Sequence, residues 1–112
     1  MSGTQALLCF TTLPDAEVAG KFAEALVEAR LAACVSILAP CRSVYRWQDK
    51  IHNDNEVPIL IKTTAERYAA LESYLRQNHP YELPELIAVE LTQGLPAYLD
   101  WLSAQTRPRP LE

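Results

Sequence analysis

The chain has 112 residues, 49% hydrophobic and 21% charged, a make-up that excludes a largely disordered chain and leaves no room for two cores of comparable size. Ten Lys and Arg against 14 Asp and Glu leave a net charge of −4, so no broad basic face is offered to nucleic acid. No apolar run approaches the roughly 18 residues of a spanning helix, and the start of the chain lacks the pattern of a secretory leader, so a cytoplasmic protein with no membrane partner is expected.

Ala6 through Thr12 is a short apolar run ending at turn residues, the pattern of a buried strand. Thr12 and Asp15 are candidate caps, Pro14 is allowed in a first turn and Glu17 suits the positive end of a helix dipole, so a helix begins here. Val18, Phe22, Ala25, Leu26 and Ala29 recur at helical spacing and carry it to about Arg30. Ala32 to Leu38 reads as strand, Pro40 interrupts it, and Ser43 to Trp47 resumes β-branched and aromatic composition. One long strand bent at a bulge accounts for both. Gln48, Asp49 and Lys50 form the expected hairpin tip, and the return runs from Ile51 to Thr63 through Pro58. A hairpin from Tyr45 to Glu56 is too long for so small a core to cover, so it projects and invites pairing with another chain.

Thr64 caps a second expected helix, whose inward stripe is Tyr68, Leu71 and Leu75 and which stops at His79-Pro80. Glu85 to Leu91 is a further strand, Gln93-Gly94 a turn, and Leu95 to Ala104 a short helix. Residues 1–106 are expected to form a single domain and residues 107–112 an extended tail. Strand, helix, long hairpin, helix and strand make the split βαβ order of a ferredoxin-like α+β sandwich, with a projecting hairpin and a short C-terminal helix. Helices on one sheet face leave the other to be covered, and trimerisation is one way to cover it. Cys9, Cys34 and Cys41 are odd in number without a Cys-x-x-Cys spacing, so packed, reduced thiols are expected.

The stretch from Asn78 to Glu85 sets an imidazole, a phenol and two carboxylates between two prolines. His79 is either a ring hydrogen-bonded at a helix end or a metal ligand beside Glu82; His52, Asp54 and Glu56 are a second set of donors. A transition ion wants about four ligands, more than one chain supplies at either place. Tyr45, Trp47, Tyr81, Tyr98 and Trp101 build core, an interface or the wall of a pocket. Glu56 and Lys62 share a strand face by parity unless Pro58 makes a bulge, and Lys62 needs an ion pair with Glu82 or Glu85, a snorkelling path or a cleft. With only three glycines there is no Gly-rich phosphate loop, nor a nucleophile elbow or a zinc helix, so an enzyme is not expected.

Leu31-Ala32-Ala33-Cys34-Val35, Ser43-Val44-Tyr45-Arg46-Trp47, Glu56 with Ile61-Lys62-Thr63-Thr64, His79-Pro80-Tyr81-Glu82-Leu83-Pro84-Glu85 and Tyr98-Leu99-Asp100-Trp101 resemble, in order, motifs of the CutA family of divalent-cation-tolerance proteins. The resemblance implies a ferredoxin-like fold and a tight homotrimer joined by inter-subunit strand pairing, similar in architecture to the nitrogen-regulatory PII proteins. It also implies an association with copper and other divalent cations, through a cysteine near the end of the first strand and histidines before the proline-tyrosine pair. Here Thr11 stands at the cysteine position, with Cys9 two residues earlier, and Asn78 stands where a second histidine occurs, leaving His79 as the metal candidate. The expected function is a non-enzymatic trimer in divalent-metal tolerance or response. It would bind copper or another divalent cation weakly, or a small anionic ligand in inter-subunit clefts lined by Tyr45, Trp47, Glu56, Lys62, Tyr81, Glu82 and Glu85. A trimeric interaction scaffold is the alternative. An acylphosphatase-type hydrolase is remote, because Thr11 to Asp15 replaces the glycine-bounded phosphate loop.

Overall fold

The structure, a computed structural model, describes residues 4–109. Strand β1 (Ala6–Leu13) runs antiparallel to the long β4 (Lys50–Thr64), in register from Ala6 opposite Thr64 to Leu13 opposite Val57. The short β5 (Ile87–Glu90) takes the other side of β1, and β2 (Cys34–Ile37) the other side of β4, giving the order β2-β4-β1-β5. β3 (Cys41–Trp47) pairs with the first half of β4, from Cys41 opposite Glu56 to Trp47 opposite Lys50. With helices α1 (Ala16–Glu28), α2 (Ala65–Asn78) and α3 (Pro96–Gln105), this is the ferredoxin-like α+β arrangement. β5 is shorter than the expected Glu85 to Leu91 because its ladder with β1 spans only Leu7 to Phe10.

The expected bulge is present. Ile37 lies opposite Ile59 and the next paired residue, Cys41, opposite Glu56, so three residues on one strand face two on the other. Leu38 N–H donates to the Pro58 carbonyl at 3.0 Å, and Pro58 leaves the β1–β4 register unbroken. The tip is tighter than expected: Lys50 is already strand, and Gln48 (φ 51°) and Asp49 (φ 65°) alone make the turn. The hairpin projects past the end of β1. The Cα radius of gyration of 14.9 Å exceeds the value near 13 Å typical of a compact chain this long, and the molecule extends 49 Å along its longest axis.

Alternation along β1 and β4 sends Leu7, Cys9, Leu13, Val57, Ile59 and Ile61 to the helix side, where they pack on Phe22 and Leu26 of α1 and on Leu71 and Leu75 of α2. Asp15 starts α1 by accepting from Val18 N–H at 2.8 Å, and Leu31 N–H closes its end on the Leu26 carbonyl at 3.0 Å with Arg30 at φ 60°. α3 covers part of the opposite sheet face, packing Leu102 on Ala6 and Ala33. Ile87 and Val89 remain 57% and 60% exposed on β5.

Two threonines share the helix-side face of the sheet. Thr63 Oγ1 donates to the Leu31 carbonyl at 2.8 Å, whereas the Thr11 hydroxyl is fully buried without a hydrogen-bond partner. An unmet buried hydroxyl costs about 1–3 kcal/mol, so Thr11→Val is expected to raise stability by about 1 kcal/mol or more. A rise in the denaturant midpoint with unchanged slope, at fixed protein concentration, would show it; a fall would mean that the hydroxyl is satisfied.

Candidate functional site

Helix α2 stops at His79, which is only 8% exposed and joins three elements. Its Nε2 donates to the carbonyl of Thr12 at the end of β1, 2.7 Å away, and its Nδ1 accepts the backbone N–H of Tyr81 at 3.1 Å. These partners require the neutral ring with its proton on Nε2. The ring also meets the edge of Phe22 on α1, with centroids 5.8 Å apart, and the ring of Tyr81 at 4.7 Å. With both nitrogens engaged, the ring as placed has no lone pair for a metal ion. Burial explains the position: an imidazole under a helix end must satisfy both nitrogens locally.

By pinning the connector, His79 sets Tyr81 over a groove of about 820 Å³ at the root of the hairpin. Thr12, Tyr45, Trp47, Asp54, Glu56, Tyr81, Glu82 and Glu85 line it together with Arg46 and four neighbouring residues. Glu56 is the hub. Its Oε2 accepts from Thr12 Oγ1 at 3.0 Å, and burial followed by the hydrogen bond to Glu56 pushes the Tyr81 phenol far above its ordinary range. Tyr45 donates its hydroxyl to Asp54 and stacks on His52 with centroids 5.3 Å apart. Partial burial, then the charge of Glu56, raises the Glu85 carboxyl above its usual value.

Six expected residues, Tyr45, Trp47, Glu56, Tyr81, Glu82 and Glu85, thus share this groove. Lys62 does not. It keeps the face of Glu56, but six residues at about 3.3 Å each carry it about 20 Å along the strand. Its ammonium lies 5.8 Å from the ring centroid of Tyr98, so neither a place in the groove nor an ion pair with Glu82 or Glu85 is formed. The groove is acidic on this chain: Asp54, Glu56, Glu82 and Glu85 line it with a single cation, Arg46. His52, Asp54 and Glu56 alternate on one strand face about 6.6 Å apart and do not meet on one ion. Among the described residues, no three His, Cys, Asp or Glu side chains are grouped to hold a metal. Thr11 and Cys9 lie on the helix side, and burial pushes the Cys9 thiol up to about 11. In the sequence Thr12 reads only as a candidate helix cap; the register, which sets it opposite Pro58, puts it on the face of Glu56.

Burial holds the His79 pKa below its ordinary 6.5, against smaller opposing effects of the Thr12 hydrogen bond and the Glu56 charge. The unfolded chain therefore takes up the proton more readily, and stability is lost as pH falls below 6.5 toward the lower folded value. Glu85 acts oppositely: its raised carboxyl pKa removes stability as pH climbs from 4.5. The denaturation midpoint is expected to drop between about pH 7 and pH 5, and to drop less in His79→Gln. Equal slopes in the two proteins would show that the ring does not titrate as placed.

The sequence profile of the family described as "CutA1 divalent ion tolerance protein" matches residues 7–105. The divalent-cation tolerance protein CutA of Thermus thermophilus is 44% identical over 95 residues, which cover 85% of this chain and 92% of that protein. The CutA protein of Mus musculus is also 44% identical, over 87% of this chain but only 55% of its own length. Among solved structures, CutA1 from Oryza sativa superposes with a TM-score of 0.90 at 36% identity, covering 95% of this chain and 98% of that one. The Thermus thermophilus protein gives 0.88 at 41% identity, with 91% and 99% covered. The groove at the hairpin root is therefore a feature of a chain that belongs to the CutA1 family of divalent-ion tolerance proteins.

Proposed function

We propose that this chain serves divalent-cation tolerance in the cytoplasm as a non-enzymatic homotrimer, and that the groove at the hairpin root is its ligand site, lying where subunits meet. The observation that carries the ligand reading is the Thr12 hydroxyl on Glu56, which fixes a carboxylate in an acidic concavity that Tyr81 also lines. A trimer accounts for the apolar side chains left bare. Ile87 and Val89 on β5, and Val44 and Ile51 on the hairpin, are each more than half exposed. The hairpin half of β4 pairs only with β3, so one edge of it stays open to another strand.

Copper or another divalent cation is held weakly in this reading. The negative groove attracts it, but the carboxylates do not converge, and the imidazole that would add affinity is occupied by Thr12 and Tyr81. Sedimentation is expected to give three times the 12.6 kDa chain mass, and a monomer at micromolar concentration would remove the trimer. Calorimetric titration of copper is expected to show the same weak isotherm for wild type and His79→Gln, and a weaker one for Glu56→Gln. Loss of binding in a folded His79→Gln protein would restore the ring as a ligand.

A further inference from the structure

We infer that the groove at the hairpin root prefers an organic cation, a flexible chain carrying two or more ammonium groups, over a bare metal ion or an anion. This rests on the reading of the groove as the ligand site. Its size comes first. An ion with six waters, each needing about 30 Å³, occupies about 200 Å³, a fraction of the 820 Å³ that the groove has on one subunit, whereas small organic ligands fill sites of this order.

The walls supply the second argument. Tyr45, Trp47 and Tyr81 bring three aromatic rings to one concavity. The Tyr45 hydroxyl is committed to Asp54, and Thr12 anchors the Glu56 carboxylate in the groove that Tyr81 lines. An aromatic ring beside a fixed carboxylate recognises an ammonium group, through the ring quadrupole and the opposite charge together, and also accepts methylenes. A phosphate or carboxylate ligand gains nothing from either part.

Spacing supplies the third. Asp54, Glu56, Glu82 and Glu85 line the groove without an ion-pair partner among the described residues, and no three of them gather at one point. A compact dication can satisfy only part of such a set. A chain with ammonium groups separated by methylenes reaches several carboxylates at once, and each added charge relieves the repulsion between Glu56 and Glu85.

The test is calorimetric titration of the full chain with spermidine, magnesium and inorganic phosphate, each at the same ionic strength. Saturable binding of spermidine is expected, at least about tenfold tighter than magnesium, with no heat from phosphate. Trp47→Ala and Glu56→Gln are each expected to weaken spermidine by roughly fivefold or more, the loss of one cation–π contact or one paired charge. Glu82→Gln at an exposed position gives a second reading should either variant disturb assembly, checked by sedimentation. Spermidine binding no tighter than magnesium, or unchanged in all three variants, would overturn the inference. If Glu56→Gln weakens copper while spermidine does not bind, the groove survives as a ligand site and the organic cation does not.

Discussion

The 15 residues of β4 hydrogen-bond in succession to β3, β2 and β1, so a single strand reaches from the hairpin tip to the middle of the core. Its even positions, Glu56 to Thr64, share one face and its odd positions, Val57 to Thr63, the other. A slip of one residue would exchange the two sets. The apolar odd set, buried against α1 and α2, resists that slip. The energetics of the core thereby hold in place the groove that lies beyond it, since Glu56 belongs to the same strand and the same register.

The second constraint is local and polar. His79 closes α2 onto the end of β1 and hands the chain on to Tyr81 through its other nitrogen. A buried ring with two met hydrogen bonds adds directional rigidity where apolar contact alone would leave the connector free to rotate. The ring that the sequence offered as a metal candidate is used in this structure to hold a wall of the groove.

Much of the fold was legible because its signals are local. Asp15 before an acidic turn, the His79-Pro80 stop, the Leu71 and Leu75 stripe and the interruption at Pro40 each report on a few neighbouring dihedrals, and each is found where expected. The groove was partly legible: six of its residues were named, through the motif that carries the prolines and the aromatic run before the tip. What pattern left open needed distance or charge. Parity set Lys62 on the face of Glu56 but at the opposite end of the strand, and that length keeps it out of the groove. The four carboxylates that make the groove acidic stood in the sequence as separate letters. The task of Thr12 in the groove was invisible because it depends on a partner 44 positions away.

The extra residue between Ile37 and Cys41 changes the phase of the chain. Ile37 and Cys41 are four apart and in an unbroken strand would share a face, yet Ile37 stands with Ile59 on the helix side and Cys41 with Glu56 on the other. Everything downstream is inverted: Ser43, Tyr45 and Trp47 share the strand face of Glu56, and Val44 and Arg46 take the alternate face, although both also border the groove. In the unshifted frame an aliphatic and a guanidinium would stand in register with Glu56 in place of the aromatic rings. The chemistry of the groove is thus written partly at Leu38, Ala39 and Pro40, three residues that do not line it. A one-residue insertion or deletion there would exchange which of these side chains share a strand face with Glu56, without altering one groove residue.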